Sequence, residues 1–229
     1  MQNSAALQSS VLFKDLSGED LEKALRFYKA ANASHKKGEY LLHEGDSINR
    51  FGLVLSGMVQ VFMDDMNGDR TIMANVSAGS TFGESLCFLE TRYAGIYIIA
   101  ASDCRLLWLS TDKLRERSAG DDFSCLMKIR FMSLLAQRAL TMNDRIQTLS
   151  KRTLRAKLYT YFALCRRHFR SSFFELDMDR NDMAAYLGAD RSALSRELSK
   201  MRSEGLIDYT KNRFTLLLIS HDTADNESY

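Results

Sequence analysis

Hydrophobic positions along the chain change their period twice, and the changes mark three stretches. From about Gly38 to Leu109 the apolar residues fall in short runs: Tyr40–Leu42, Gly52–Leu55, Met58–Met63, Thr71–Asn75, Tyr97–Ala100 and Leu106–Leu109. These runs are rich in β-branched, aromatic and aliphatic side chains, which suit a half-buried pleated surface. Within one of them Val59, Val61 and Met63 alternate with Gln60, Phe62 and Asp64, so one face of a strand is predicted to be core and the other solvent. Gly45, Gly57, Gly68 and Gly79 separate runs, and Asn67-Gly68 is the strongest hairpin signal among them. Many short strands at near-even spacing predict a barrel or jelly roll. A short helix over Gly18–Ala31 is expected to precede it.

The second stretch follows Ser110-Thr111-Asp112, a cluster suited to capping a helix. A long helix is predicted from about Asp122 to Leu149. In it Met132, Leu135, Ala139, Met142, Ile146 and Leu149 repeat at 3-4-3-4-3 spacing, as along the seam of a two-stranded coiled coil. Lys128 breaks that seam one turn earlier. Leu126, Ile129 and Leu134 offer a second stripe, so the helix is expected to pack on its own domain with one face and on a second copy with the other.

The third stretch, from Lys151, returns to helical periodicity over Leu154–Phe169. A short strand at Phe173–Leu176, two short helices and a hairpin over Leu206–Leu217 follow. Ser150–Thr153 is the expected hinge. The two short helices carry the most specific pattern. Asp179 suits the cap of the first, whose buried side is Met183, Ala184 and Leu187, with Ala184 small enough for a close crossing. Gly188 supplies the turn and Asp190 a cap for the second helix, which buries Leu194, Leu198 and Met201 at i, i+4 and i+7. Arg191, Ser192, Ser195 and Arg196 are then left on its outer face, toward the N-terminal end. A helix-turn-helix needs this layout, because its second helix enters the major groove N-terminus first. Arginine can hold guanine O6 and N7 with paired hydrogen bonds. Lys211, Asn212 and Arg213 fall in the turn of the following hairpin, where a wing would meet the DNA backbone. Lys151, Arg152, Arg155 and Lys157 are further phosphate candidates, set against the commoner role of such a run as a solvated helix face.

Charge and composition sharpen this reading only slightly. Residues 151–229 hold 14 Lys+Arg against 11 Asp+Glu, so the small positive balance falls on the third stretch. No run approaches a membrane span and no signal peptide opens the chain, which points to the cytoplasm. Cys87, Cys104, Cys125 and Cys165 are scattered without a C-x-x-C pair and are expected to be small buried residues. His35, His43, His168 and His221 are dispersed, and no nucleophile elbow, P-loop or metal spacing occurs, so catalysis finds no support. The chain contains no proline, for which there is no physical account.

On these elements the chain resembles the CRP/FNR family of transcription regulators over nearly its whole length. The order of barrel, long helix and winged helix-turn-helix matches, and so does the glycine spacing. Phe82-Gly83-Glu84-Ser85-Leu86 resembles the start of the family's phosphate-binding cassette, and Arg191-Ser192-Ala193-Leu194-Ser195-Arg196 its recognition helix. The resemblance implies an α+β fold. An N-terminal double-stranded β-helix (jelly roll, cyclic-nucleotide-binding-like) is expected over 1–121, a dimerisation helix over 122–150 and a winged helix-turn-helix over 151–229. It implies an effector-gated homodimer on palindromic double-stranded DNA, with RNA polymerase as a candidate partner.

One departure bears on the DNA consensus and two on the effector. Ser192 stands where cAMP-binding members place a glutamate between the two arginines. The Arg-Ser or Arg-Thr pair that grips a cyclic phosphate falls at Ala94-Gly95, which offers neither guanidinium nor hydroxyl, although Arg92 lies two residues upstream. The helix positions that hold the base fall near Ala139 and Leu140, both apolar. The effector is therefore expected not to be cAMP, and no cofactor is identified. The first 86 residues lack cysteine, against an N-terminal iron–sulfur cluster. His43 is the best-placed haem ligand, set against a structural role, and Cys87 or Cys125 would serve a thiol switch. A small organic ligand would be lined by Glu84, Ser85, Arg92, Tyr93, Tyr97, Ala139 and Met142. DNA binding without any effector is the remaining alternative.

Overall fold

The computed structural model describes residues 2–46, 48–64, 70–89, 95–117, 121–176 and 178–217. Its contacts divide the chain into two units, Met1–Gln137 and Arg138–Tyr229. In the first, α1 (Gln2–Ser9) and α2 (Gly18–Phe27) precede strands β1 (Ala31–His35), β2 (Tyr40–Leu42), β3 (Arg50–Ser56), β4 (Met58–Asp64), β5 (Arg70–Ser77) and β6 (Thr81–Phe82). Then come α3 (Glu84–Leu89), β7 (Ile96–Ala100), β8 (Cys104–Ser110), α4 (Asp112–Arg115) and the start of α5 (Asp122–Leu149). Helix α2 stops four residues short of the expected Ala31. Lys29 takes φ +45° and the Ala30 amide reaches back to the Leu25 carbonyl, which closes the helix.

Two antiparallel sheets of four strands, ordered β1-β8-β3-β6 and β2-β7-β4-β5, form a jelly roll. Leu53, Leu106 and Leu109 of one sheet and Val59, Val76 and Ile98 of the other share one core. Gly52 on β3 is there because the Phe82 ring covers it; a Cβ would sit 2.2 Å from a ring carbon. The expected parity of β4 holds, with Val59 and Val61 on the core face and Phe62 on the other. The expected solvent exposure of that second face fails at Phe62, which is fully buried although it lies on the side away from the core. There Tyr97 stacks on its ring at 5.2 Å and the Arg70 guanidinium lies 3.6 Å from its centroid. Asn67-Gly68 lies outside the described residues; Asp64 pairs with Arg70 on either side of it.

The stripe that α5 turns to the jelly roll is Met127, Phe131 and Leu134, with Phe131 5.7 Å from Phe51 and 5.5 Å from Phe88. Leu126 and Ile129, expected in that stripe, are exposed, so only Leu134 of the three holds. Leu135, expected in the seam, is half-buried and packs on the same core.

The second unit takes in the last turns of α5, then α6 (Leu154–Phe169), β9 (Phe173–Glu175), α7 (Arg180–Leu187), α8 (Arg191–Ser203), β10 (Ile207–Thr210) and β11 (Arg213–Leu216). Its contacts divide from the first unit earlier than the expected hinge at Ser150–Thr153. Within the unit the Arg145 guanidinium lies 5.5 Å from the Tyr186 ring of α7, and Leu149 lies beside Gly188. An antiparallel sheet ordered β10-β11-β9 backs the helices. Leu158, Phe162, Leu187, Leu198 and Phe214 form the center of a separate core.

Candidate nucleic-acid interface

Helices α7 and α8 meet through the turn that the sequence predicts. Asp179 accepts from the Asn181 and Asp182 amides at 2.6 and 2.9 Å, and Asp182 returns a bond to the Asp179 amide, a full capping box. Gly188 ends α7 at φ +58°, a left-handed position in which a side chain is strained. Asp190 precedes α8 in extended conformation, yet its side chain caps no amide, contrary to expectation. Leu194, Leu198 and Met201 are completely buried, each contributing about 1.5–3 kcal/mol on burial.

The opposite face of α8 is the candidate surface. Arg191, Ser192, Ser195 and Arg196 are all exposed. Ser195 donates its hydroxyl to the Arg191 carbonyl at 2.9 Å, so in this state it is turned to its own backbone. Among the described residues Arg191 and Arg196 have no carboxylate within ion-pair distance. Beside them the wing turn presents Lys211 and Arg213, both exposed, and a half-buried Asn212. Arg213 is drawn to Glu175 at 3.0 Å. A cleft of about 530 Å³ runs between the start of α7, the wing turn and Arg191. Lys211 occupies the turn at φ +54°, a conformation that costs a residue with a Cβ about 1–2 kcal/mol.

Other basic residues have different work. Arg155 forks onto Glu204 at 2.7 and 3.0 Å and also donates to Glu197, which fastens α6 to α8. Those bonds raise the Arg155 pKa above its ordinary value and hold Glu204 below the usual carboxylate range. Lys157 caps α7 by donating to the Leu187 carbonyl at 2.9 Å. Both are scaffold rather than phosphate ligands, whereas Lys151 and Arg152 remain exposed. Sequence reasoning missed Arg180, which is half-buried with its pKa lowered by desolvation and lies over Tyr209 and Phe214. Its position one residue after a capping aspartate was the available signal.

Of the expected effector residues, Glu84, Ser85 and Tyr97 are described within the jelly-roll unit. Glu84 opens α3 buried, accepting from the Thr81 hydroxyl at 3.3 Å, while Ser85 is exposed. Tyr97 alternates with the core residues Ile98 and Ala100 and so faces away from the interior, beside Tyr40 and Phe62. Its hydroxyl donates to Glu44 at 3.0 Å, and the same carboxylate accepts from the Gly95 amide at 2.8 Å. That hydrogen bond raises the Tyr97 pKa. Arg92 and Tyr93 lie outside the described residues, and Ala139 and Met142 are exposed on α5. His43 is exposed and stacked on Tyr40 at 4.4 Å, which does not aim it into the jelly roll as a haem ligand would be. Cys87 is buried, shares a hydrogen bond with Thr111 and has its thiol pKa raised by burial, the opposite of an activated thiol. Of the four free cysteines only Cys125 is exposed.

The comparisons with known proteins divide along the same lines. A family model of the cyclic nucleotide-binding domain matches residues 33–119, and one of the Crp-like helix-turn-helix domain matches residues 156–220. The cyclic AMP receptor protein of Thermus thermophilus is 25% identical over 208 residues, which are 88% of this chain and 89% of that one. The transcriptional activator protein anr of Pseudomonas aeruginosa is 25% identical over 178 residues, 75% of this chain and 70% of the other. The solved structure of FixK2 from Bradyrhizobium japonicum shares the fold, with a TM-score of 0.55 at 22% identity over 82% of this chain and 92% of that one. Among the described residues no helix is long and apolar enough to cross a membrane. A sensing jelly roll and a winged helix-turn-helix in this order, matched by regulators along most of their length, make the chain a member of the CRP/FNR family of transcription regulators, not an enzyme.

Proposed function

We propose that two copies of this chain read a palindromic promoter site, each through Arg191, Arg196 and the serines between them, with Lys211, Asn212 and Arg213 on the backbone. One observation carries this reading. Two arginines without ion-pair partners among the described residues stand exposed on the helix that a helix-turn-helix inserts into the major groove. Dimerisation is supported by α5, where Ile129, Met132, Leu140, Met142 and Ile146 are each at least half exposed, an apolar surface that solvent does not favour. A second α5 is the partner proposed for it. Two half-sites bound together then gain affinity from linkage. RNA polymerase is the partner such a regulator would meet at a promoter, and the reducing cytoplasm suits its four free cysteines.

The effector proposed is a small organic molecule other than cAMP. The Glu44 carboxylate already sits on the Gly95 amide, the cassette position where the resemblance puts a cyclic phosphate. A second anion there would be repelled. Selection of binding sites from random duplexes, followed by titration of Arg191→Ala and Arg196→Ala, tests the reading. Each substitution is expected to weaken the selected site about 5- to 150-fold and to leave folding intact. A protein that selects no motif, or variants that bind as wild type, would refute it.

A further inference from the structure

Arg180 is a cation that the DNA-reading surface does not itself use. It opens α7, its guanidinium lies 5.1 Å from the Tyr209 ring centroid and 5.0 Å from that of Phe214, and it donates to the Lys211 carbonyl. Among the described residues no carboxylate pairs with it. The turn it grips is held from the other side as well. The Asn212 side-chain amide donates to the Leu176 carbonyl at 2.7 Å, and the Leu176 amide donates to the Asn212 carbonyl at 3.0 Å. Between these two anchors stands Lys211 at φ +54°, where glycine or asparagine would rest without strain. A strained side chain that the surrounding structure over-determines is a sign of use rather than of packing. The Lys211 ammonium is exposed and borders the same cleft as Arg191. Among the described residues the one carboxylate bordering that cleft, Asp179, is turned to the α7 amides as their cap.

We propose that Arg180 is a positioning residue, clamping the strained wing turn so that the Lys211 ammonium takes a DNA backbone phosphate at this cleft, beside the base-reading Arg191. The proposal rests on the DNA-binding reading above and adds a contact and its support. The π faces and the carbonyl fix the planar guanidinium in place, and lysine, with no fork, can reproduce only part of that hold. The strain at Lys211 persists because the clamp bonds its backbone while its side chain serves the ligand.

The test is a salt titration of binding to the selected duplex and to an unrelated duplex, using full-length dimer. Lys211→Ala is expected to weaken both duplexes by a similar factor, about 5- to 10-fold, and to lower the salt slope by about one per half-site, as loss of a phosphate contact does. Arg180→Ala should show the same pattern in the wild-type background and add nothing in the Lys211→Ala background. Arg180→Lys should fold and fall between wild type and Arg180→Ala, which keeps the test usable if alanine unfolds the wing. Lys211→Gly should raise the thermal midpoint while weakening DNA binding, a pair of opposite signs that a purely structural lysine would not give. An Arg180→Ala effect of the same size in both backgrounds would overturn the clamp. Wild-type affinity and salt slope in Lys211→Ala would overturn the phosphate site. Neither result touches the loss of sequence preference in Arg191→Ala, on which the DNA-binding reading stands.

Discussion

The two units dispose of their polar groups in opposite ways. In the jelly roll, groups near the cassette are engaged with one another: Glu84 on Thr81, Cys87 on Thr111, and Glu44 on Gly95 and Tyr97. In the winged unit the basic side chains are sorted into two sets. Arg155, Lys157 and Arg180 are bound to carboxylates, carbonyls and rings, and Arg191 and Arg196 are left to solvent. A cation held by its own fold contributes to stability, and one left exposed is available to a phosphate or a guanine. The difference teaches that basic residues close in sequence and alike in type can be separated into scaffold and reader only by what each side chain touches. It also sets an expectation for the sensor, whose Gly95 position is already supplied with an anion of its own.

The strongest way to break this comparison is on a single helix. Leu198→Ala, at a site with no exposure, is expected to destabilise the winged unit by about 2–5 kcal/mol, with DNA binding lost in step with unfolding. Arg196→Ala, two residues before it, should leave the thermal midpoint unchanged and remove recognition alone. Calorimetry beside fluorescence anisotropy separates the two. A large stability loss in Arg196→Ala would mean that the exposed set is structural after all.

How far the sequence discloses each region follows from the same physics. The reading and burying positions of α8 lie within one short helix and recur at helical period, so Arg191, Arg196, Leu194, Leu198 and Met201 are legible together. The jelly roll is legible as a class but not strand by strand. Ala31–His35 has no β-branched residue and becomes β1 only by pairing along its length with β8. Phe62 keeps its expected face but is buried there, because Tyr97 and Arg70 of the neighbouring strands cover its ring. In α5 several apolar stripes compete, and Phe51 and Phe88, far away in sequence, select Phe131. The oxygen hydrogen-bond partners of Arg155 and Arg180 lie 31 to 49 residues away, beyond any local pattern.

A second test uses pH. Burial pushes the Cys165 thiol up from its ordinary 9.0 to about 11. Between those values the unfolded chain sheds a proton that the native chain keeps. The stability of the winged unit therefore falls as pH rises through this window and is untouched below it, with a loss on the order of 2 kcal/mol across the whole window. Tyr161, raised by the same burial, adds to the loss at higher pH. Denaturant melts from pH 8 to 11 should show this decline in wild type and a shallower one in Cys165→Ala. An identical decline in both would show that this thiol is not the titrating group.

Arg155 offers a milder contrast with Arg196. Arg155→Ala frees Glu197 and Glu204 together at a partly exposed site, where solvent screens much of the loss. The thermal midpoint should drop by a few degrees while the selected DNA motif stays the same. A double-mutant cycle with Glu204→Gln should show coupling between the two. A changed motif would instead move Arg155 into the reading set.

The smallest expected effect falls on the sensor and bears most directly on the comparison. Glu44→Gln keeps a side chain able to accept from the Gly95 amide or the Tyr97 hydroxyl but removes the charge. At an exposed position the change in stability should stay within about 0.5 kcal/mol. The Tyr97 phenol, whose pKa is raised first by its bond to Glu44, should titrate at lower pH, visible by NMR of labelled tyrosine. Calorimetric titration with cAMP should remain silent in both proteins, because Ala94-Gly95 adds no guanidinium or hydroxyl once the carboxylate is gone. Heat of binding in Glu44→Gln alone would show that one internal charge is what closes the cassette to cyclic phosphate. Heat in wild type would remove the contrast between a self-satisfied sensor and a reading face left open to anions.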